Sequence, residues 1–286
     1  MSQIGTDKMR AACVQMCSGT NRAENLAACE ILIRDAAAKG ASLVATPEMT
    51  SILQKRPRLL MAALPDPDQP LSEIDQFSAL AKELQITLLI GSMAVALAKE
   101  PGTRRAANRS FLFAPDGRLI TTYDKIHMFD VDLPNGESWK ESAIYQPGEA
   151  LVVADIGVAK LGLSICYDLR FPQLYRRLAQ AGADILMVPA AFTKPTGAAH
   201  WEVLLRARAI ETGSFVLAPA QGGQHEDGRE TYGGSMIINP WGEVLAAVDG
   251  DEPGVIMADL DIAQVAKTRM QIPSLALTTN PSLRQI

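Results

Sequence analysis

One cysteine, Cys166, lies where a sulfur nucleophile could be presented to a substrate. It follows the apolar run Leu161–Ile165 and precedes Tyr167–Arg170, so a strand is predicted to end there and the chain to turn toward a helix. Backbone N–H groups at such a turn, and the N-terminus of the helix, favour a thiolate. Taken alone, a cysteine after a strand is more often a buried apolar side chain, because cysteine is among the most buried residue types.

A carboxylate and an ammonium group occupy comparable positions. Glu48 follows the buried strand predicted over Ser42–Thr46, and Lys125 ends the strand predicted over Leu119–Lys125. Open α/β sheets place their sites at the carboxyl ends of strands, where this carboxylate could act as a general base and this cation could hold an oxyanion. Considered singly, each is more typical of an exposed loop Glu or a surface Lys than of a catalytic group.

A papain-like thiol enzyme would use a histidine as its base instead. The chain has three histidines, His127, His200 and His225. His127 lies in the loop after Lys125, His200 is predicted to open a helix, and His225 is predicted to be exposed in a Gly-rich loop. So few histidines in a chain of this length require no special explanation, and a structural role is favoured for each.

Strands, hairpins and helical crossovers alternate along the chain, which favours mixed sheets with helices outside them. Gly40–Pro47 resembles Gly182–Pro189, since each follows a helix and reads as a buried strand closed by proline. This similarity predicts two related halves, and therefore a four-layer α-β-β-α sandwich of two stacked mixed sheets. Under this symmetry Glu48 corresponds to Ala190, which indicates a special role for the carboxylate.

The predicted helices begin and end at ordinary capping signals. A long loop with little periodicity is predicted over Ile126–Gly148, a length that is often functional in compact domains. The helices are expected over Asn21–Gly40, Leu71–Leu84, Pro172–Ala181, Trp201–Thr212 and Ile262–Met270.

Length and composition predict a single domain over residues 1–286, with 48% apolar residues. The net charge is −5 and no Lys/Arg run forms a stripe, so nucleic-acid binding is not expected. The apolar stretches fall short of the roughly 18 residues that span a bilayer, so no membrane partner is expected. The first residues, Met1–Lys8, lack the apolar segment of a secretory signal, and a cytoplasmic location is predicted.

The cysteines predict neither a disulfide framework nor a metal site. Cys13, Cys17 and Cys29 lie in one short segment far from Cys166, and no second Cys/His pair completes a tetrahedral site with the first two. Reduced thiols are expected, with these three as inert core or helix residues.

Together, the three candidate residues resemble those of the nitrilase superfamily of carbon–nitrogen hydrolases, in which a Glu, a Lys and a Cys each end a strand. The matching segments are Pro47-Glu48, Tyr123–His127 around Lys125, and Cys166–Pro172. Each motif alone is weak or moderate, but all three in this order are highly specific. The resemblance implies the predicted sandwich fold, with Glu48, Lys125 and Cys166 catalytic and with no cofactor or metal.

Finer motifs resemble the Nit branch, which includes omega-amidases and deaminated-glutathione amidases. In Lys125–Asp132 followed by Lys140–Ser142, Glu141 matches a second active-site Glu. Three runs are closest to deaminated-glutathione amidases: Ala191–Thr193, Thr196–Glu211 and Ala218–Gln221. One departure is Gly234, where the motif usually has histidine. The missing imidazole is expected to alter the substrate pocket.

The resemblance implies an amidase that hydrolyses a terminal carboxamide to a carboxylate and ammonia through a Cys thioester, with deaminated glutathione as the first candidate substrate. An omega-amidase on 2-oxoacid amides such as 2-oxoglutaramate is the second candidate. A nitrilase or an N-carbamoyl hydrolase stays open, because a nitrile and an amide present similar electrophilic carbons to the same thiol. A binding protein that has kept the fold is the alternative from another class.

Four residues are predicted to bind substrate: Arg170, Tyr167, Phe192 and Thr193. Arg170 could bind a substrate carboxylate bidentately, or could form a salt bridge to Asp168 or to a neighbouring helix. The helix after Cys166 packs on its copy in the superfamily, so a homodimer or larger homo-oligomer is predicted. The apolar tail at about 272–286 is expected to pack on another subunit.

Overall fold

The computed structural model describes residues 8–98, 105–133, 136, 138–277, 279 and 282–285. Its strands are β1 (Lys8–Gln15), β2 (Leu43–Ala45), β3 (Thr87–Ala96), β4 (Ala106–Phe113), β5 (Leu119–Asp124), β6 (Asp130–Asp132), β7 (Ser138–Lys140), β8 (Val153–Asp155), β9 (Lys160–Leu163), β10 (Ile185–Met187), β11 (Phe215–Ala218), β12 (Gly222–Gln224), β13 (Glu230–Tyr232), β14 (Met236–Ile238), β15 (Val244–Ala247) and β16 (Gly254–Asp261). Its helices are α1 (Arg22–Ala38), α2 (Pro57–Ala63), α3 (Ser72–Leu84), α4 (Pro172–Gln180), α5 (Lys194–Thr212) and α6 (Ala263–Gln271), with 3₁₀ turns at Glu141–Ala143, Cys166–Arg170 and Pro273–Leu275.

Two six-stranded sheets of the same topology form the centre of the protein. Their strand orders are β16-β1-β2-β3-β4-β5 and β8-β9-β10-β11-β14-β15. In each sheet three successive strands pair in parallel, β1-β2-β3 and β9-β10-β11, and the remaining neighbours pair antiparallel. This shared order confirms the two related halves predicted from the repeated Pro-closed strand.

Alternating residues of each central strand face different layers, as the pleat requires. In β1, Ala12 and Val14 pack in a cluster with α1 and α3, whereas Ala11 and Cys13 pack in the cluster that contains the second sheet. The Cys13 Sγ lies 3.9 Å from the carbonyl oxygen of Met236 in the opposite sheet. Helices α4 and α5 cover the outer face of the second sheet. The four-layer α-β-β-α sandwich predicted from the sequence is therefore confirmed.

Local capping explains where α1 begins. The Asn21 side-chain oxygen accepts the backbone N–H of Ala23 at 3.1 Å and that of Glu24 at 3.5 Å. The Asn21 amide in turn donates to the Glu24 carboxylate at 2.7 Å. The helix ends before Gly40, whose φ of +89° is costly for residues with a Cβ.

The prediction for α5 was wrong at its start. The helix begins at Lys194 rather than at Trp201, because Pro195 occupies the first turn, where its missing N–H leaves no hydrogen bond unmade. His200 therefore lies inside the helix instead of opening it.

Two other expectations are corrected by short elements. His225 is buried rather than exposed, because the hairpin β12–β13 encloses it: its Nδ1 lies 2.8 Å from the Ser18 carbonyl and its Nε2 lies 2.7 Å from the Thr231 hydroxyl. The predicted loop 126–148 contains the paired strands β6 and β7. Residues 134, 135 and 137 of that loop lie outside the described residues.

The thiol predictions hold for two of the three N-terminal cysteines. Cys13 and Cys29 are buried, whereas Cys17 is exposed. All four cysteines are free. The start of the tail that was predicted to pack on another subunit contacts α4 of the same chain. Arg176 of α4 donates to the Leu277 carbonyl at 2.7 Å. Residues 278, 280, 281 and 286 of the tail, and residues 1–7 of the N-terminal segment, lie outside the described residues.

The two Pro-closed strand ends meet at Gly91 of β3. A Cβ on Gly91 would lie 1.9 Å from the carbonyl oxygen of Thr46 and 2.5 Å from the Cβ of Pro189. The Gly91 N–H donates to the Thr46 hydroxyl at 3.0 Å. Only a residue without a side chain allows this approach, and it takes place two residues before Glu48.

We expect Gly91→Ala to lower the free energy of unfolding by about 3 kcal/mol, because a clash with backbone cannot be relieved by turning a side chain. Urea denaturation followed by circular dichroism measures this change. Gly254→Ala is the matched control, since a Cβ there meets nothing within 4 Å. Equal destabilisation by the two substitutions would contradict the proposed close approach.

Candidate active site

A buried ion cluster joins three of the residues predicted from the sequence. The Lys125 Nζ lies 2.9 Å from Glu48 Oε1 and 2.8 Å from Glu141 Oε2. Lys125 is 2% exposed and Glu48 is 4% exposed. Buried charges require partners and hydrogen bonds, and here each carboxylate has a further donor. Glu48 Oε2 accepts the Ala191 N–H at 2.8 Å, and Glu141 Oε2 accepts the Phe129 N–H at 2.6 Å.

Cys166 joins this cluster from the end of β9. Its backbone lies in the left-handed region, with φ of +49°, and its N–H donates to the Pro189 carbonyl at 2.9 Å. A residue with a side chain adopts this conformation only where the surroundings enforce it. Cys166 is 7% exposed, and the Glu48 carboxylate is near enough for its charge to raise the pKa of the thiol. The sharp turn thus directs the sulfur toward Glu48.

The electrostatics of the site keep Cys166 protonated. Burial raises the pKa of the Cys166 thiol, the Glu48 charge raises it further, and the smaller opposing effect of Lys125 leaves it well above its ordinary value of 9.0. For Lys125, burial lowers the pKa, but the charges of Glu141 and Glu48 outweigh that effect and hold it well above its usual range. The cluster therefore combines a neutral thiol with a cationic lysine.

Asp168 fixes Cys166 relative to Lys125. Its carboxylate accepts the Ile165 N–H at 2.9 Å beside the cysteine, and the Tyr123 hydroxyl at 2.7 Å from the strand that leads to Lys125. Asp168 also accepts the backbone N–H of His127 at 3.0 Å. Two residues past Cys166, one fully buried carboxylate thus connects the turn after β9 with the end of β5.

Glu48 is held by a comparable set of contacts. The next residue, Met49, has φ of +58°, and its N–H donates to the Ser92 hydroxyl at 3.1 Å. The Gln221 amide donates to the Glu48 carbonyl at 3.0 Å. Asn108 of β4 donates to Glu48 Oε1 at 2.8 Å and lies 3.4 Å from Glu141 Oε1. These contacts fix the carboxylate before any ligand arrives.

A cavity of about 640 Å³ opens onto the cluster. Tyr167, Phe192 and Thr193, predicted to bind substrate, all line it. The polar and aromatic residues of the lining include Glu48, Lys125, Glu141, Cys166, Tyr145, Lys55, Trp139, Arg229 and Glu230. The structure thus brings seven of the eight predicted site residues to one cavity.

Arg170 is the eighth predicted residue, and it lies outside this lining. Its guanidinium packs 5.9 Å from the Tyr167 ring and 5.5 Å from the Phe192 ring, and its Nη1 lies 3.2 Å from His200 Nδ1. Asp168 contacts other donors, so the alternative salt bridge between Arg170 and Asp168 is not among the ion pairs of the described residues.

None of the three histidines lines the cavity. His127 Nδ1 lies 2.7 Å from Asp168, and its ring stacks on Phe171 with the ring centroids 3.5 Å apart. His200 contacts Arg170, and His225 is enclosed by backbone and hydroxyl oxygens. Glu48, unlike these histidines, lines the cavity together with Cys166.

Gly234 does not line the cavity but lies beside Tyr232 and Trp201. Its φ is +69°, and a Cβ there would lie 3.1 Å from the Tyr232 ring and 3.5 Å from the Trp201 ring. The Trp201 ring packs 4.8 Å from Phe192, which lines the cavity. A side chain at position 234 would therefore press on the second layer of the pocket rather than on substrate.

Sequence reasoning missed Asn108, Asp168, Gln221 and Arg229. Asn108 lies within a strand and Asp168 at a helix start, where polar residues are ordinary. Asn108 is one of two buried polar residues in β4, with Ser110, and a polar side chain buried in a strand needs a partner. Gln221 ends the motif Ala218–Gln221 noted in the sequence, but nothing local marks Arg229.

Within the described residues, no helix is long and apolar enough to cross a membrane. The same part of the chain contains no group of three His, Cys, Asp or Glu side chains that could hold a metal ion. The two site carboxylates instead have Lys125 as their shared cation.

The fold and the buried site define a hydrolase of carbon–nitrogen bonds. Residues 10–270 match the carbon-nitrogen hydrolase family, and the chain belongs to that family. Among its relatives, deaminated glutathione amidase of Synechocystis is 42% identical over 93% of this chain and 96% of the relative. The corresponding amidase of Yersinia enterocolitica is 40% identical over 92% and 91%.

Solved structures show the same fold. The C. elegans NitFhit protein superposes with a TM-score of 0.86 at 32% identity, over 96% of this chain, which spans 65% of that protein. A mutant amidase from Nesterenkonia sp. AN1 superposes with a TM-score of 0.74 at 26% identity, over 94% of this chain and all of that one; in it, acrylamide has added to the active-site cysteine. The expected resemblance to the nitrilase superfamily is confirmed.

Because the pKa of Cys166 is raised, we expect no thiolate at this residue up to about pH 9. The 240 nm absorbance of the wild type minus that of Cys166→Ala measures the thiolate through a pH titration. The absorbance of Cys13, Cys17 and Cys29 is common to both proteins and cancels in the difference. A thiolate signal that rises below pH 8 would contradict the account, since it would require a cationic partner stronger than Lys125.

Proposed function

We propose that this protein is an amidase that acts through a Cys166 thioester, with deaminated glutathione as its first substrate. The observation that carries the proposal is that a thiol, a carboxylate and a buried ammonium group paired with that carboxylate all line one cavity. Such a set supplies a nucleophile, a general base and a charge to stabilise an oxyanion.

The first step is deprotonation and attack. Glu48 takes the thiol proton as the sulfur of Cys166 bonds to the amide carbon, so a free thiolate never has to accumulate. Lys125 holds the oxygen that becomes negative, together with a backbone N–H near Tyr167. Removal of one donor of this kind typically slows kcat by roughly 100- to 1,000-fold.

The second step is departure of the amine and hydrolysis of the thioester. Glu48 returns the proton to the leaving nitrogen, then takes a proton from the attacking water and passes it to the Cys166 sulfur as the carboxylate product forms. Glu141 positions Lys125 through Oε2 at 2.8 Å and Oε1 at 2.9 Å, and its Oε2 also accepts the Phe129 N–H at 2.6 Å. Its role is to keep the ammonium group in place throughout.

The choice of substrate is supported by the relatives named deaminated glutathione amidase, at 40–42% identity. Ammonia is the product expected from a terminal carboxamide. Deaminated glutathione carries no primary amide, and cleavage at its 2-oxoglutarate end releases 2-oxoglutarate and cysteinylglycine. An assay of ammonia alone would therefore miss this substrate.

Tyr167, Phe192 and Thr193 are proposed to bind substrate because they line the cavity beside the reactive group. Arg170 remains proposed as a carboxylate-binding residue. This role requires its side chain to leave His200 and to move past the rings of Tyr167 and Phe192. An Arg170→Lys variant with full affinity for carboxylate substrates would remove Arg170 from the site.

A panel of substrates separates the candidate activities. It contains deaminated glutathione, 2-oxoglutaramate, a simple nitrile and an N-carbamoyl amino acid, with 2-oxoglutarate, cysteinylglycine and ammonia all quantified. We expect the highest kcat/KM with deaminated glutathione. A higher value with 2-oxoglutaramate would make the omega-amidase the better assignment, and no turnover of any compound would favour a binding protein.

Variants test the proposed roles on the best substrate. We expect Cys166→Ala to lower kcat/KM by about 10⁴-fold or more, and Glu48→Gln by about 10²- to 10⁴-fold, since each removes a group that acts only during the reaction. Glu83→Gln, on the exposed face of α3, is the control. A His127→Ala loss as large as that of Cys166→Ala would instead favour a histidine base.

We also propose a homodimer or larger assembly in the cytoplasm. Exposed apolar side chains support the assembly, among them Val203 and Ile210 of α5 and the adjacent Trp241. The four free cysteines are consistent with a reducing compartment. Size-exclusion chromatography with light scattering at micromolar concentration is expected to give a multiple of 30.7 kDa, and a monomer would contradict the proposed assembly.

A further inference from the structure

Arg229 occupies the cavity wall, far in sequence from every predicted catalytic residue. It lies in the turn between β12 and β13, and its side chain is 16% exposed. It lines the same cavity as Glu48, Lys125 and Cys166. Its charge also reaches the site: burial and the Glu141 charge raise the pKa of the Tyr145 hydroxyl, and the Arg229 charge opposes that rise.

The hydrogen-bonding capacity of Arg229 is largely unused. A guanidinium has five N–H donors. Among the described residues, its side chain contacts a carboxylate only through Nη2, 3.5 Å from Asp227 Oδ2, and its Nε is buried without a partner. The group lies 4.8 Å from the centroid of the Trp139 ring, a contact that orients the plane but takes up no N–H.

Neighbouring carboxylates are engaged elsewhere. Asp227 accepts the backbone N–H groups of Arg229 at 2.9 Å and of Lys55 at 2.7 Å, so it fixes the turn rather than forming a bidentate pair with the guanidinium. Glu230 lines the cavity too, but its carboxylate lies 2.6 Å from Lys194. Among the described residues, the carboxylate contact of the Arg229 guanidinium is thus the single one of 3.5 Å to Asp227.

A second cation lies beside Arg229. Lys55 lines the cavity, and its Nζ is 3.2 Å from the position that a Cβ on Gly228 would take, one residue before Arg229. Two neighbouring cations that line the same cavity as the buried Cys166 form an electrostatic site for an anion.

We propose that Arg229, assisted by Lys55, binds a substrate carboxylate away from the reacting amide. This inference rests on the proposed amidase function and deepens it: the substrate class is amides that carry a carboxylate at a distance from the scissile bond. The planar fork of Arg229 fits both carboxylate oxygens, with Trp139 setting its plane. An arginine kept only for structure would have used these donors on protein acceptors.

The test compares Arg229→Gln with Arg229→Lys and with Arg118→Gln, an arginine at the exposed turn between β4 and β5. The substrates are deaminated glutathione, 2-oxoglutaramate and butyramide, which has no carboxylate. We expect Arg229→Gln to raise KM by about 10- to 100-fold for at least one anionic amide, with kcat changed by only a few-fold and kcat/KM for butyramide unchanged. Arg229→Lys should recover part of the affinity.

An equal loss for butyramide and the anionic amides would overturn the proposal, because it would indicate a structural role. Unchanged KM for both anionic amides would overturn it as well. Loss of the catalytic function is distinguished by Cys166→Ala, which stops turnover of all three amides.

A binding measurement keeps the inference testable when turnover of butyramide is too slow. Calorimetry of Cys166→Ala with deaminated glutathione, whose two carboxylates include the one present in 2-oxoglutaramate, is compared with the same titration of Cys166→Ala/Arg229→Gln. At least a 10-fold weaker affinity of the double variant supports the site, whereas equal affinities overturn it. Arg170→Gln in the same background shows whether the other predicted arginine binds this anion.

Discussion

The buried contact of Lys125 with Glu48 and Glu141 is the constraint on which the structure of the site depends. An isolated charge at such depth would be strongly unfavourable, so the three side chains are stable only together. Glu48 comes from the end of β2, Lys125 from the end of β5 and Glu141 from the 3₁₀ turn after β7. Pairing their charges therefore fixes three separate segments at one end of the sandwich.

A neutral thiol follows from the same charges. With a carboxylate beside it and burial around it, Cys166 does not have the thiolate–cation pair of a histidine-dependent thiol enzyme. In the proposed mechanism its proton leaves to Glu48 during attack. That transfer needs fixed geometry, which explains the rigid supports around it. Asp168 connects the cysteine turn to the lysine strand, and Asn108 bridges the two carboxylates.

Much of the fold was predictable, because buried strands closed by proline and capped helices leave local patterns. The repeat of Gly40–Pro47 at Gly182–Pro189 indicated the two sheets and placed Glu48 at a strand end. Contacts between distant segments left no such pattern. Arg170 is near Cys166 in sequence but packs on the rings of Tyr167 and Phe192 outside the cavity lining. Arg229 reaches the cavity from a hairpin that local propensity did not predict.

The central claim is that Cys166 forms a thioester with the acyl part of its substrate. Because Glu48→Gln should slow both the formation and the hydrolysis of that thioester, samples of this variant and of the wild type are taken over a prolonged incubation with deaminated glutathione, acid-quenched and analysed by peptide mass spectrometry. The account predicts a 2-oxoglutaryl adduct on the peptide that contains Cys166, and none on the peptides with Cys13, Cys17 or Cys29. Product formation by the wild type, with no adduct on Cys166 in either protein and an adduct elsewhere, would contradict it.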